Sequence, residues 1–227
     1  SQCFMLAFFG NTLPYFLMNW GEVKVDSALA AILMSVMPLA TLLLAHAFTT
    51  DEKFTPFKFA GVLSGVVGII ILVGPEALGG LGDQLLRHLA IAGGAFCFAI
   101  QTVMARQLPK ISPLTVSGIV MICALAQSLP LAFFMDWPVT EMPSTASWMA
   151  MVYLGIFSGA IALTVYFYLV AEKGATYVAL NNFVIPPMGV LWGVLFLSER
   201  ISTQALVAMG VILFGIWLAT YSRKDQA

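Results

Sequence analysis

Apolar stretches long enough to cross a bilayer follow one another along almost the whole chain: 3–20, 26–48, 56–74, 86–106, 112–134, 147–171, 175–197 and 203–221. A transmembrane helix needs about 20 such residues, so the chain reads as an all-α membrane protein, a polytopic bundle of eight transmembrane spans. The connections between spans are too short to hold a soluble domain. Composition agrees: 60% of the residues are hydrophobic and 9% charged, far from the roughly 25% charged residues that coat a soluble domain. The formal net charge is −1, with no long run of one sign, so nothing points to nucleic acid as a partner. The partner expected from composition is the lipid bilayer.

Basic residues orient the bundle. Lys53, Lys58, Arg106, Lys110, Lys173, Arg223 and Lys224 fall on one side of an eight-span arrangement, and only Lys24, Arg87 and Arg200 on the other. The side richer in Lys and Arg is cytoplasmic. The expectation is a multi-pass protein of the cell (inner) membrane, with both ends of the chain, including the C-terminus, in the cytoplasm and the connection DWPVTEMPSTAS, 136–147, outside. No basic n-region precedes the first span and the chain does not open on Met, from which a fragment of a longer protein is expected. Cys3, Cys97 and Cys123 lie inside spans without metal-ligand spacing. They read as packing residues, and neither a metal nor a cofactor is expected.

The chain repeats itself. Residues 10–74 and 159–219 carry the same landmarks in the same order: Gly10 pairs with Gly159, Glu22 and Lys24 with Glu172 and Lys173, Pro38 with Pro186, Glu52 with Glu199, and Gly68 with Gly215. The first span thus matches the sixth, the second the seventh and the third the eighth. That odd offset makes the two copies enter the membrane in opposite directions. Inverted repeats of this kind characterise secondary transporters, whose solute site lies near the midplane between the copies.

The second and third spans, DSALAAILMSVMPLATLLLAHAFTTDEKFTPFKFAGVLSGVVGIIILVG, and the later copy ending LFLSERISTQALVAMGVILFGIWLA resemble the EamA repeat of the drug/metabolite transporter superfamily. The resemblance is carried by a Pro within the span (Pro38, Pro186), an acidic residue at its exit (Glu52, Glu199) and the Gly61 and Gly68 pair in the next helix; Ala208 replaces the first Gly in the second copy. It implies a fold of ten helices in two inverted repeats of five. Residues 1–78 would then hold the last three helices of a first repeat truncated at its N-terminus, and 79–227 a second repeat of five. The first two helices, on the order of 60 residues, would be missing.

Polar residues inside the spans are the site candidates. Asn11 and Tyr15 share a face of the first span, beside the carbonyl freed by Pro14. Asn181 and Asn182 sit in the seventh span, and adjacent helix positions diverge by about 100°, so one of the two is expected to face a cavity. Gln101, Tyr168 and Trp192 complete the expected substrate-binding set, and Tyr166 is a further in-span polar residue. Pro38, Pro186 and Pro187 remove backbone donors at matching places in the two copies and are expected hinges. Glu52 and Glu199 precede the third and eighth spans, where a carboxylate favours the positive end of a helix, so they are expected to be structural. His46, near the end of its span, reads as a residue reaching the interface. Small-xxx-small spacings at Gly61 and Gly65, Gly155 and Gly159, and Gly189 and Gly193 call for close helix approach, with a homodimer as the lesser meaning.

No span places Asp, Glu, Lys or Arg near its centre, and Ser158 has no His or Asp at membrane depth to activate it, so the chain is not expected to be an enzyme. The reading is a membrane transporter of a small organic solute or metabolite, an exporter by resemblance, working by alternating access. The lack of midplane charge favours a neutral, zwitterionic or amphipathic solute over a phosphate, which calls for Arg or Lys. A multi-span assembly or receptor subunit that binds without translocating is the alternative.

Overall fold

A segment in hydrocarbon must close its own backbone hydrogen bonds, and among the described residues every regular element is helical. The structure, a computed structural model, describes residues 2–25, 27–52, 54–74, 84–109, 111–135, 144–185, 187–188 and 203–221. Helix α1 runs from Gln2–Ala7 through a π-helical segment, Phe8–Thr12, into Leu13–Glu22. Ser27–Met34 forms α2, Val36–Phe48 α3, Pro56–Val73 α4, Leu85–Arg106 α5 and Pro113–Met135 α6. Helix α7 runs from Thr145–Leu154 through a second π-helical segment, Gly155–Ile161, into Ala162–Lys173. Helix α8 starts as Ala175–Ala179 and tightens into a 3₁₀ turn, Leu180–Phe183; α9 is Thr203–Tyr221.

Among the described residues, five segments are long and apolar enough to cross a membrane: Leu29–Phe48, Leu85–Arg106, Pro113–Ala132, Thr145–Lys173 and Thr203–Thr220. They coincide with five of the eight expected spans. The other three differ for local reasons. Helix α1 is helical throughout but carries Asn11, Thr12, Pro14 and Asn19, which dilute its hydropathy; α4 is a shorter apolar helix over Pro56–Leu72; and the seventh stretch runs from α8 beyond the described residues.

Turn chemistry sets the helix ends. Thr55 is the N-cap of α4, its hydroxyl accepting the Lys58 N–H at 3.2 Å with Pro56 at the first helical position, as the Thr-Pro pair predicts. The run α2–α3 breaks at Ser35. Its N–H is shared between the Ala31 and Ile32 carbonyls, and its hydroxyl donates to Ile32 at 2.5 Å. Pro38 follows three residues later, where it has no N–H to offer the Met34 carbonyl.

Helices α4 and α9 pack on each other through glycine. A Cβ on Gly61 would lie 2.5 Å from the Gly215 carbonyl oxygen, and one on Gly215 would lie 2.6 Å from that of Gly61. Further along the seam, Gly68 faces Ile212 and the Ala208 carbonyl, and Gly65 leaves room for the ring of the fully buried Phe183. Lipid gives no hydrophobic drive for helix pairing, so two apolar helices are held by contact this close together with interhelical hydrogen bonds, here Ser64 to the Val211 carbonyl at 3.0 Å and Gln204 to the Ile71 carbonyl at 2.7 Å. Helix α1 packs on α5 and α6, and α3 on α5. One core joins Leu6, Ala105, Val116, Val120, Phe167 and Val170; another joins Ile32, Leu42, Val62, Ile69, Phe183 and Ile212. Burial is uneven: 61% of the most apolar window of α5 is buried, against 11% of that of α7.

Candidate functional site

The π-helical turn in α1 adds a residue to the helical circuit and brings Gly10 against α5. A Cβ there would lie 1.9 Å from Gln101 Nε2, so only glycine admits this amide, which is almost wholly buried. The next residue, Asn11, has a buried side-chain N–H₂ without a hydrogen-bond partner among the described residues. Thr12 donates to Gln127 Oε1 at 2.7 Å, and the Gln127 amide donates to the Phe4 carbonyl at 2.9 Å. One turn of α1 thus gathers amides from α5 and α6. Isolated π turns inside α-helices are frequent at functional sites.

Beside this group Thr102 donates to the Phe98 carbonyl at 2.7 Å and lies 2.8 Å from the Tyr166 hydroxyl. With the threonine proton already committed, Tyr166 is the donor of that pair. Ser117 and Thr164 meet at 2.8 Å between α6 and α7. Tyr168, two residues from Tyr166, points away and is 54% exposed. The structure therefore brings Tyr166, not Tyr168, to the polar seam, because two helical positions span about 200°. Tyr15 is also exposed and packs edge-on against Phe98 with ring centroids 5.8 Å apart.

In α8 the two asparagines diverge. Asn182 is half-buried and its amide meets the Met37 sulfur of α3. Asn181 is exposed and lines a groove of about 300 Å³ with Tyr177, Val184, Ile216 and Thr220. The 3₁₀ turn that carries them closes with Val184 N–H on the Asn181 carbonyl at 2.9 Å, and Pro187 is buried just beyond. Pro38 is buried in α3. Pro186 and Trp192 lie outside the described residues, as does Glu199.

A cavity of about 200 Å³ opens where the α3–α4 loop meets the α7–α8 turn, lined by Asp51, Glu52, Lys58, Arg106, Lys173 and Thr176 among others. Arg106, at the end of α5, pairs with Asp51 and donates to the Val170 and Ala171 carbonyls at the end of α7. Partial burial pushes the Asp51 carboxyl up, but the hydrogen bond and charge of Arg106 outweigh it and hold Asp51 below the ordinary 3.8. Glu52, nearly buried, accepts the backbone N–H groups of Ala175 and of Thr176, the latter at 2.9 Å. The helix it caps is α8, and not the α4 that follows it in sequence and for which it is expected. Thr55 already serves α4. His46, near the end of α3, accepts the Phe54 N–H at 3.1 Å on Nδ1. On the opposite face Arg87 stacks on Trp20, 4.7 Å from the ring centroid, and donates to its carbonyl.

Gln127, Thr102 and the Arg106 contacts are the groups that sequence reasoning passed over. Gln127 and Thr102 are single polar residues in apolar helices, and only the neighbouring helix shows which way they face.

The EamA-like transporter family model matches residues 1–74 and 85–221. An uncharacterized transporter of Archaeoglobus fulgidus is 25% identical over 224 residues, covering 98% of this chain and 78% of that protein. The uncharacterized inner membrane transporter YedA of Escherichia coli is 26% identical over 200 residues, covering 88% of this chain and 64% of YedA, so less than two-thirds of that relative is spanned. A protein of Streptantibioticus cattleyicolor named as a probable terminal-alkyne amino-acid exporter is 27% identical over 218 residues, with 93% and 71% coverage. A protein crystal structure shares the fold at a TM-score of 0.81, with 22% identity over 99% of this chain and 77% of that one.

Proposed function

We propose, on the premise that the chain belongs to the EamA-like transporter family, that it moves a small organic solute across the cell membrane by alternating access between two inverted halves, 1–78 and 79–227. The observation that carries this reading is a pair of contacts across α4 and α9. If Gly61 corresponds to Ala208 and Gly68 to Gly215, the close approach of Gly61 and Gly215 transforms into an approach of Ala208 and Gly68. Both exist: a Cβ on Gly68 would lie 3.2 Å from the Ala208 carbonyl. An internal two-fold is the simplest relation that maps each contact on the other. The two π-helical segments, one holding Gly10 and the other Gly159, fit the same relation. So do the break at Ser35 before Pro38 and the 3₁₀ turn Leu180–Phe183 before Pro186. Two halves related in this way can exchange packings and open to either face in turn.

Burial departs from the two-fold. Helix α7 would take the place of α1, yet α1 is covered by α5 and α6 while α7 is largely uncovered. Two helices N-terminal to α1, packed on α7 as α5 and α6 pack on α1, would restore the symmetry and complete a ten-helix fold in which this chain supplies eight spans. The solute is neutral, zwitterionic or amphipathic, held by amides such as Asn11 and Asn182, and the direction is export, by likeness to the relative named as a probable exporter, while the basic-residue count sets only which face is cytoplasmic.

A growth screen tests the reading. Expression of the full-length protein in a hypersensitive host should relieve toxicity of at least one member of a panel of amino acids and amphipathic drugs, and proteoliposomes should move that compound. Binding without flux would favour the non-transporting assembly. Reporter fusions after Tyr221 and within 138–145 should read cytoplasm and exterior respectively, and the reverse would invert the orientation.

A further inference from the structure

Glu52 is an acidic side chain with only 9% exposure, and it spends its charge on a helix 123 residues away. Both carboxylate oxygens are engaged by N–H groups at the start of α8, one each from Ala175 and Thr176. The backbone is shaped to receive it. Gly174 has φ +90, a left-handed conformation that favours glycine, and a Cβ there would lie 2.6 Å from Glu52 Oε1. The contact joins the α3–α4 loop of the first half to the α7–α8 turn of the second. Arg106 runs parallel to it, tying Asp51 of the same loop to the end of α7. Below the contact, α8 carries Asn182 toward α3, in the space between the halves.

We infer that Glu52 is a latch that closes this end of the bundle, its carboxylate holding the start of α8 against the α3–α4 loop and releasing when the transporter opens to that face. The inference rests on the alternating-access reading above, and Lys58, Arg106 and Lys173 at this end make the face cytoplasmic. A carboxylate is suited to the task because charge-assisted hydrogen bonds to two N–H groups are strong while closed. Once apart, both partners regain water, so the contact is reversible. Its partner is backbone, so the second half needs only a glycine and a helix start.

The test places a reporter thiol below the latch: Asn182→Cys in a background without the native cysteines, probed with a membrane-impermeant methanethiosulfonate on inside-out and right-side-out vesicles. Glu52→Gln removes the charge, and Gly174→Ala leaves the charge but drives the carboxylate off its donors. Each should raise cytoplasmic-side labelling by about tenfold or more, as expected when charge-assisted hydrogen bonds that favour one state are lost, and each should lower labelling from the outside. Glu52→Asp, which keeps the charge on a shorter arm, should lie between. Unchanged cytoplasmic labelling in folded Glu52→Gln and Gly174→Ala proteins would overturn the latch. So would a response to Glu52→Gln alone, because charge and not the contact would then be the cause. Labelling from the outer face that ignores both substitutions would overturn the latch and leave the transport reading standing. A thiol inert from both faces in every background would overturn both.

Discussion

Adding one methyl group to the α4–α9 seam should separate two helices that are also tied by the Ser64 hydroxyl on the Val211 carbonyl and the Gln204 amide on the Ile71 carbonyl. In Gly61→Ala the new Cβ would sit 2.5 Å from the Gly215 oxygen and 2.6 Å from the Ala219 nitrogen; ordinary contact begins at 3.4 Å, so the seam must open by 3.4 − 2.5 = 0.9 Å. Both obstacles are backbone, so no rotamer change relieves them. A gap of about 0.5–1 Å forfeits a quarter to a half of the dispersion energy across it, and overpacking of this kind costs about 1–3 kcal/mol. In lipid the separated surfaces gain nothing from being driven out of water. At about 2–4 °C per kcal/mol for a chain of this size, Gly61→Ala and Gly215→Ala should each unfold several degrees below the parent. The double substitution should cost less than the sum, because the first alanine has already opened the seam. Gly210, on the same helix with nothing within 4 Å of its Cβ position, is the control: Gly210→Ala should be neutral or stabilising by about 0.5–1 kcal/mol. Tryptophan fluorescence during thermal unfolding in nanodiscs measures all four. Parent-like melting of Gly61→Ala, or an equal loss in Gly210→Ala, would refute the reasoning.

The Thr102–Tyr166 pair should respond asymmetrically. Tyr166→Phe leaves Thr102 bonded to Phe98, whereas Thr102→Val strands the Tyr166 hydroxyl and should cost more, about 1–3 kcal/mol, by the same melting measurement. Asp51 gives an acid dependence. Its folded pKa lies below 3.8, so its pairing contributes fully above that value and is lost as pH falls through the lowered one; melting between pH 5 and 2.5 should decline more steeply in the parent than in Arg106→Gln. Pro187→Ala returns an N–H to the Phe183 carbonyl. It should leave stability unchanged or raised while slowing proteoliposome flux of the compound found by growth screen, and normal flux would dismiss the hinge.

Much of this protein is legible along the chain because the cause is local. The five long apolar helices follow from hydropathy, the start of α4 from Thr55 and Pro56, and the backbone break near Pro38 from a missing N–H, which proline lacks in any fold. The order of Gly, Glu and Pro landmarks is likewise read without any coordinates, and it is what the proposed repeat starts from. Facing is another matter. A helix that is apolar all round carries no stripe to say which side meets a neighbour, so Tyr166 and Tyr168 look alike in sequence, as do Asn181 and Asn182. Only packing against α5 and α3 separates them. Partnership across the chain is equally hidden. Glu52 stands three residues before the N-cap of α4 and reads as its electrostatic neighbour, yet it closes on α8, because the tertiary fold brings a second set of unpaired N–H groups within reach and Thr55 has already satisfied the first.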